Sequence, residues 1–190
     1  LSREIRFLPV LRGRAMRLRA LLGGRKSFAE SDFEAFQTDL RARVYDDVER
    51  VVLEVVEEED PDSLLRRVRR RVEAWDGTGA ADQVGFRLLD AYYGVLQQRI
   101  LGPLLAPARE ADADFVFRYR GKAWESVLRI LEERPQHLLP PGHESWRAFL
   151  RVVLRDLAVD MEQGNGNGGI DASWGDVKRL RYRHPLGGVP

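Results

Sequence analysis

The sequence predicts a mainly α fold, with antiparallel-type packing of about five or six helices and a short extended C-terminal segment. Apolar residues recur at intervals of three and four, the spacing of a helix that is buried on one face. Glycine and proline separate these amphipathic segments, runs that alternate like strands are few, and no tandem repeat is found. We divide the chain into a helical domain (1–162), a glycine-rich linker (163–173) and an extended tail (174–190).

The first two helices are predicted in residues 12–22 and from Phe33 to Pro61. The first carries leucine, methionine and alanine among arginines and stops at two glycines. The second has apolar residues at helical spacing up to the proline that closes it. Either Ser27 or Ser31 can cap its start, since a glutamate follows each of them three residues later.

A third helix is predicted to begin at Asp62 or Ser63 and to end at Trp75. Its apolar face lies opposite a group of arginines, Arg66, Arg67, Arg69, Arg70 and Arg71. Arginines at this spacing can grip phosphates. The same pattern is typical of a solvated helix face opposite a core stripe, and we adopt that interpretation.

The most apolar stretch, residues 81–105, predicts a central and mostly buried helix. Pro103 and Pro107 are expected to limit its far end, because proline removes a helical hydrogen bond. Gly94 is expected to permit close packing against a neighbouring element.

Two shorter helices are predicted further along, around residues 122–132 and 145–161. Between them and the central helix, residues 114–119 alternate enough to form a short strand or an extended link. The run of glycine and asparagine after Met161 has the composition of a linker. Residues 177–182 are predicted to be extended.

Composition excludes several classes of function. The 31 basic and 30 acidic residues give a net charge of +1, which directs the chain neither to nucleic acid nor to an anionic membrane. Cysteine is absent, which excludes disulfides and thiolate metal sites. No apolar run approaches the roughly 18 to 20 residues of a membrane helix. Because the chain starts at Leu1 and not at methionine, we expect it to be a segment of a longer protein.

Titratable residues form no catalytic or metal-binding pattern in the sequence. His137 and His143 lack the helical spacing of a zinc site, and we expect both to be surface residues. Asp112 and Asp114 supply too few oxygen ligands for calcium. His184 has no visible serine or cysteine partner. We therefore predict no catalytic residue, no metal and no cofactor in this chain.

Three short motifs give a resemblance to a known enzyme family. They are Gln37-Thr38-Asp39, Trp75-Asp76-Gly77, and the tail from Trp174-Gly175-Asp176 to His184-Pro185-Leu186. In this order, and across nearly the whole chain, they resemble a helical stretch late in the catalytic β-chain of the penicillin acylase (penicillin amidase) family of N-terminal nucleophile hydrolases. The resemblance implies structural roles for the motif residues Gln37, Asp39, Trp75, Asp76, Trp174, Asp176 and His184.

The resemblance also implies that the catalytic groups lie elsewhere. The family's nucleophile is a serine that opens a Ser-Asn-x-Trp stretch and uses its own α-amine as base after autoproteolysis. Ser2 has no such sequence behind it, and the asparagine stretch that supplies the oxyanion hole is not found between Leu1 and Arg12. This chain is then expected to be a scaffold.

The parent protein implied by the resemblance is a periplasmic or secreted amidohydrolase. It would hydrolyse a small acylated amine such as a β-lactam or an acyl-homoserine lactone. The partners of this chain would be the α-chain and the nucleophile-bearing sheet of the same precursor, with no nucleic acid and no membrane span.

The alternative is a self-standing all-helical interaction module, which would bind a partner helix or an anionic ligand through the Arg66–Arg71 face. The sequence before Leu1 discriminates between the two hypotheses. A Ser-Asn-x-Trp stretch a few hundred residues upstream supports the hydrolase, and an initiator methionine close to Leu1 supports the module.

The tail is expected to return to the helices after the linker. A tryptophan buries roughly 150 to 250 Å², which at about 25 cal/mol per Å² outweighs the ordering of a short linker. We expect Trp174 to be largely buried, and its replacement by alanine to destabilise the chain by roughly 3 kcal/mol.

Overall fold

The computed structural model describes residues 12–24, 26–112, 124–164 and 168–178. These residues are mainly helical, so the fold class predicted from the sequence is confirmed. None of the described helices is both long and apolar enough to cross a bilayer. The described helices are α1 (Arg12–Leu22), α2 (Glu30–Gln37), α3 (Asp46–Val55), α4 (Ser63–Glu73), α5 (Val84–Ala111), α6 (Trp124–Glu133), α7 (Trp146–Glu162) and α8 (Trp174–Val177), with 3-10 turns at Arg43–Tyr45 and Gln136–Leu138.

The core lies among α3, α4, α5 and α7, each of which contacts the other three. Each of these helices buries one apolar face, as its sequence period predicts. On the central helix α5, Leu89, Tyr92 and Leu96 are fully buried. The Tyr92 hydroxyl donates to the Leu150 carbonyl of α7 at 2.8 Å, which satisfies a polar group that would otherwise be costly to bury. Helix α5 also contacts α6 and α8, so it is the element on which the others assemble.

The prediction of a single long helix from Phe33 to Pro61 is wrong. The chain instead forms α2, a short non-helical segment (38–42) and α3. The segment uses its backbone groups in a bridge to residues 77–79: the Ala42 N–H donates to the Gly77 carbonyl and the Gly79 N–H to the Leu40 carbonyl, both at 2.8 Å. Partners distant in the sequence therefore replace the helical hydrogen bonds, and a local periodicity does not reveal them.

The helix caps are partly as predicted. Neither Ser27 nor Ser31 caps α2, which starts after Ala29 with the Ala29 N–H donating to the Asp32 carboxylate. Asp62 does cap α4, where its carboxylate accepts the N–H groups of the first turn. This side chain satisfies donors that a helix start leaves free.

Helix α5 continues to Ala111, so the prediction that Pro103 and Pro107 limit it is wrong. Both prolines are exposed and four residues apart, and they therefore share one solvent-facing side of the helix. Water can bond the carbonyls that lose a donor on that side. The predicted strand or link at residues 114–119 lies outside the described residues.

On α5, Gly85 and not Gly94 permits close packing. A Cβ on Gly85 would lie 2.7 Å from both the Arg71 carbonyl oxygen and the Trp75 Cβ, whereas nothing lies within 4 Å of one on Gly94. We expect Gly85→Ala to destabilise the chain by about 1–3 kcal/mol through overpacking. Gly94→Ala should instead stabilise it by about 0.5–1 kcal/mol, through helix propensity. Urea unfolding of both variants tests this pair, and shifts of the same sign would contradict it.

Two arginines of α4 bind the end of α3 and the loop that follows it. The Arg69 guanidinium donates to the carbonyls of Leu53 (2.7 Å) and Val56, and Arg66 donates to the Asp60 carbonyl. A helix C-terminus presents unsatisfied carbonyls and the negative end of the dipole, which cations stabilise. These arginines therefore fix α4 against α3.

Two further arginines of α4 bind Asp171, which follows the glycine-rich run. Arg67 and Arg71 each donate to the Asp171 carboxylate at 2.7 Å. These two guanidinium groups hold the pKa of Asp171 below its usual value. The prediction of a solvated arginine face is thus wrong for Arg66 and Arg69, which bond to backbone carbonyls. Arg67 and Arg71 do lie at the surface, with side chains 40% and 50% exposed, and they also bind Asp171 there.

Candidate functional site

The first two sequence motifs meet at the backbone bridge between Arg41 and Thr78. The Arg41 guanidinium lies over the Trp75 ring, with its carbon 5.7 Å from the ring centroid. Its Nη2 also donates to the Asp46 carboxylate at 2.9 Å, at the first turn of α3. One arginine therefore joins the segment after α2, the turn after α4 and the start of α3.

Each residue of Trp75-Asp76-Gly77 holds the turn after α4. The Trp75 indole N–H donates to the Thr78 carbonyl at 2.7 Å. The Asp76 carboxylate accepts the Thr78 hydroxyl (2.7 Å) and N–H (2.8 Å), and these bonds lower the pKa of Asp76. Gly77 has φ 85°, and a Cβ on it would lie 1.4 Å from the Arg41 Nη1. Both its conformation and its contact therefore require glycine.

The third motif forms α8, a single helical turn, where an extended tail was predicted to begin. Ser173 and Asp176 form a capping box: the Ser173 N–H donates to the Asp176 carboxylate at 2.8 Å, and the Asp176 N–H donates to the Ser173 hydroxyl at 3.4 Å. Reciprocal caps stabilise a turn too short to form on propensity alone. Residues 179–190, which include His184, lie outside the described residues.

This turn docks on the segment between the second motif and α5. The Trp174 N–H donates to the Gln83 carbonyl at 3.2 Å and the Gly175 N–H to the Ala81 carbonyl at 2.6 Å. A Cβ on Gly175 would lie 3.0 Å from the Ala81 carbonyl oxygen and Cβ. The glycine of this motif therefore lets two backbones approach closely.

The second and third motifs share an aromatic junction with the 3-10 turn before α3, formed by Tyr45, Trp75, Phe86 and Trp174. Phe86 of α5 is its centre, with ring centroids 5.0 Å from Tyr45, 6.5 Å from Trp75 and 4.8 Å from Trp174. The contacts with Tyr45 and Trp174 are edge contacts and that with Trp75 is stacked; such aromatic pairs stabilise by about 0.5–1.5 kcal/mol beyond their area. The Tyr45 hydroxyl donates to Asp90 at 2.6 Å, and burial raises the pKa of Tyr45.

Residues 168–173 are anchored to the helices, although the sequence predicted a linker over 163–173. Ile170 is fully buried, and its N–H donates to the Glu162 carboxylate at 3.0 Å. Arg87 is 3% exposed, and burial lowers its pKa. Its guanidinium donates to three carbonyls of this segment, those of Gly168 (3.1 Å), Gly169 (2.8 Å) and Ala172 (3.3 Å).

Trp174 packs against the core, as expected, but it is partly rather than largely buried. We therefore expect Trp174→Ala to destabilise the chain by about 2 kcal/mol, less than a fully buried aromatic costs. The ammonium of the exposed Lys178 lies 5.2 Å from the ring centroid. Lys178→Ala is the control and should change stability by less than about 0.5 kcal/mol. An unchanged urea midpoint for Trp174→Ala would contradict docking.

The first motif contributes through its aspartate. Asp39 accepts the Arg17 side chain (Nε, 2.9 Å) and the Arg41 N–H (2.9 Å), and Arg17 holds the pKa of Asp39 below its usual value. Gln37 is exposed and is the last residue of α2. Because the helix ends there, Gln37 and Asp39 do not share one long helix. Asp39 therefore connects α1 to the segment that meets the second motif.

The histidines do not join these motifs in the described residues. His137 is exposed, and the His143 ring lies against Phe149 with centroids 5.0 Å apart. In the part of the chain that the structure describes, no group of three or more histidine, aspartate or glutamate residues is arranged to hold a metal ion.

Sequence reasoning missed several residues that hold the junction. Phe86 lies at its centre. Arg87 and Ile170 anchor the segment that precedes Trp174, and Asp171 accepts from two arginines of α4. Arg87 had a visible signal, since it is a charge inside the apolar stretch that predicts a buried helix. Ile170 and Asp171 follow a glycine-rich run, and nothing local marks them as anchors.

The arrangement is suited to holding helices together. The Asp76 and Asp176 carboxylates accept bonds from the turns in which they lie. A carboxylate with a lowered pKa, such as that of Asp76, is also a weak general base near neutral pH. The Asp76 and Asp176 carboxylates therefore stabilise the turns around the junction and are not arranged as a proton-transfer pair.

In comparisons with known proteins, the sequence model of the penicillin amidase family matches residues 6–190, a range that contains all three motifs. No curated protein and no solved structure matches the chain.

Proposed function

The chain belongs to the penicillin amidase family, and we propose that it is the helical scaffold of an amidohydrolase that releases an acyl group from a small acylated amine. The family is one of acylase-type amidohydrolases in the N-terminal nucleophile class. The observation that supports a scaffold role is that the second and third motifs meet at one aromatic junction, while a backbone bridge joins the segment after the first motif to the second. The side chains of Asp39, Asp76 and Asp176 bond within the chain. The groups of an acyl-transfer site are not among the described motif side chains.

The scaffold would act by holding distant segments in register. The bridge at Arg41 fixes the segment after α2 against the turn after α4. The docked turn at Trp174 contacts Phe86 of α5. Catalysis depends on groups held within fractions of an ångström, which needs rigid support behind the reacting groups. A chain with this core can supply such support to a sheet that carries the nucleophile.

Family membership also supports proposals about the parent protein. The family is processed from a precursor, and the partners we propose are the α-chain and the nucleophile-bearing sheet of that precursor. The proposed substrates are acylated small amines of the β-lactam or acyl-homoserine-lactone type, hydrolysed in the periplasm or outside the cell. We propose that this segment contributes neither a catalytic residue nor a metal or cofactor.

The 190-residue chain alone is expected to have no amidase activity, because binding groups cannot replace a missing nucleophile. The measurement is release of a chromogenic amine from a phenylacetyl or long-chain acyl amide by the purified chain. A longer product of the same gene serves as the positive control. Serine-dependent turnover by the 190-residue chain would contradict the proposal.

The gene sequence upstream of Leu1 tests the same proposal without an assay. We expect a Ser-Asn-x-Trp stretch a few hundred residues earlier, by the family resemblance. An initiator methionine close to Leu1 would favour the self-standing interaction module. The anionic-ligand form of that alternative is weakened by the structure, because Arg66, Arg67, Arg69 and Arg71 bond to carbonyls and carboxylates of this chain.

A further inference from the structure

Residues 168–178 contribute little to the hydrophobic core, and we call them the strap. All of them are described, and Ile170 alone among them is buried. The Trp174 ring is partly buried and packs against Phe86, with centroids 4.8 Å apart. The other buried residues of the core lie between Tyr45 and Ala158. Most of the buried apolar surface therefore does not depend on the strap.

Polar contacts supply most of the attachment of the strap. Three of its N–H groups donate to acceptors outside it: Ile170 to the Glu162 carboxylate (3.0 Å), Trp174 to the Gln83 carbonyl (3.2 Å) and Gly175 to the Ala81 carbonyl (2.6 Å). The Asp171 carboxylate accepts from Arg67 and Arg71, whose side chains are 40% and 50% exposed. An intramolecular hydrogen bond replaces a bond to water, so its net contribution is small. Water can replace these partners when the strap leaves the helices.

The strap also bonds a buried cation, Arg87 of α5. The Arg87 side chain is 3% exposed, and its guanidinium donates to the strap carbonyls of Gly168, Gly169 and Ala172. A buried guanidinium has lost its hydration, which is costly even when its donors are satisfied. When the strap leaves, water hydrates Arg87 again and offsets the lost bonds. Opening is therefore easier than it would be over an apolar side chain.

The backbone at the start of the strap is suited to a hinge. Gly164 follows the end of α7 with φ 72°, and Gly168 begins the strap with φ 56°. Glycine adopts this left-handed region without steric cost. Hinges consist of a few loop residues that absorb a change of backbone angles. The strap can therefore move without unwinding α7.

We propose that the strap opens as one unit while the core of α3, α4, α5 and α7 stays folded, and that the ion pairs of Asp171 with Arg67 and Arg71 hold it closed. Opening exposes the Arg87 guanidinium and the Phe86 ring on α5. A ligand that binds one form better than the other would shift the equilibrium. These groups all lie in this chain, so the opening does not require the amidohydrolase activity proposed above.

Native-state hydrogen exchange in urea, resolved at single amides, tests separate opening. The reporters are the N–H groups that bond outside the strap, and the references are those of buried α5 residues: Ile170, Trp174 and Gly175 against Leu89, Tyr92 and Leu96. We expect the reporters to exchange about 100-fold or more faster than the references. They should share one opening free energy, with a shallower urea dependence than global unfolding, because less surface becomes exposed.

Two results of that experiment would overturn the proposal. Reporters that exchange at the rate and urea slope of the references would show that the strap opens only when the whole chain unfolds. Three unequal opening free energies would show that the strap frays residue by residue and does not open as a unit.

Asp171→Asn tests the ion pairs, because it removes the charge that Arg67 and Arg71 bind. We expect the reporters to exchange about two- to tenfold faster, the range for two exposed pairs, and the references to be unchanged. The matched control is Asp156→Asn, which breaks the pair between Arg99 of α5 and Asp156 of α7, 2.9 Å apart and 42% exposed on both sides. It should leave the reporters unchanged.

Salt gives a readout that a general loss of stability would not produce. Raising NaCl from about 0.05 M to about 1 M screens exposed charges. It should speed exchange of the reporters in the wild-type chain and have much less effect in Asp171→Asn. A salt response that persists in Asp171→Asn, or an Asp171→Asn effect shared equally by the references, would contradict the role of Asp171 in holding the strap closed.

Discussion

Replacement of Trp75 by alanine is expected to destabilise the chain by about 3–5 kcal/mol, the range for a buried aromatic residue. Trp75 is 7% exposed. Its ring contacts Phe86 and the Arg41 guanidinium, and its N–H donates to the Thr78 carbonyl. The variant loses the packing, the cation contact and the hydrogen bond together. Urea unfolding at neutral pH, followed by circular dichroism, measures the effect.

Trp75→Phe is the matched control, because it keeps an aromatic ring and removes the N–H donor. It should cost about 1–3 kcal/mol, from the unpaired Thr78 carbonyl and the smaller ring. A Trp75→Ala change below about 1 kcal/mol would place Trp75 at the surface and contradict the junction. Gly85→Ala acts at the same contact, so its effect and that of Trp75→Ala should not be additive.

The convergence of the motifs explains why residues far apart in the sequence belong together. Backbone bonds from Ala42 to Gly77 and from Gly79 to Leu40 hold the segment after the first motif against the second. Asp39 accepts the Arg41 N–H within that segment. Phe86 then joins the second motif to Trp174. Loss of any one contact would loosen segments that are separated by most of the chain. The motifs are therefore best understood as one tertiary unit.

The elements that the sequence predicts well are those fixed by local chemistry. Asp62 and Ser145 cap α4 and α7, since a side-chain acceptor at that position satisfies the free donors of the first turn. The apolar faces of α3, α4, α5 and α7 are equally visible, because burial on one side imposes the helical period. Local patterns of this kind do not depend on which segments meet later.

The features that the sequence did not reveal depend on partners far along the chain. The break between α2 and α3 exists because residues 38–42 pair with 77–79. Arg67 and Arg71 of α4 bind Asp171, about 100 residues further along the chain. The motif residues could be named from the family resemblance, but the meeting of Trp75 and Trp174 at Phe86 could not, since no spacing relates these residues.

A buried ion pair between α7 and the loop before α4 gives the second large expected effect. Asp60 is 2% exposed, and both of its carboxylate oxygens accept from Arg151, one of them at 2.8 Å. The Asp62 N–H donates to Asp60 at 2.9 Å. Arg151 also donates to the Val55 carbonyl at the end of α3, at 3.2 Å. The pair therefore joins three of the four core helices.

Arg151→Met is expected to destabilise the chain by about 3–5 kcal/mol at pH 7, because it leaves the Asp60 carboxylate buried without its counter-charge. The control is the double variant Asp60→Asn with Arg151→Met, which removes the charge together with its partner. We expect it to be more stable than Arg151→Met alone at pH 7. Urea unfolding of the three proteins measures both differences.

The pH dependence supplies an independent test of the same pair. Arg151 lowers the pKa of Asp60 from 3.8 to about 2. Because the pKa of Asp60 is lower in the folded chain than in the unfolded chain, the stabilisation that the ionised pair supplies is fully present above about pH 4. It falls by roughly 2 kcal/mol as the pH drops through 2.

In Arg151→Met, burial without a cation should raise the pKa of Asp60 above its ordinary value, so acid would favour the folded state of the variant. The stability difference between wild type and Arg151→Met should therefore narrow from pH 7 to pH 3. A difference that stays constant over this range would show that Asp60 and Arg151 do not interact as a buried pair.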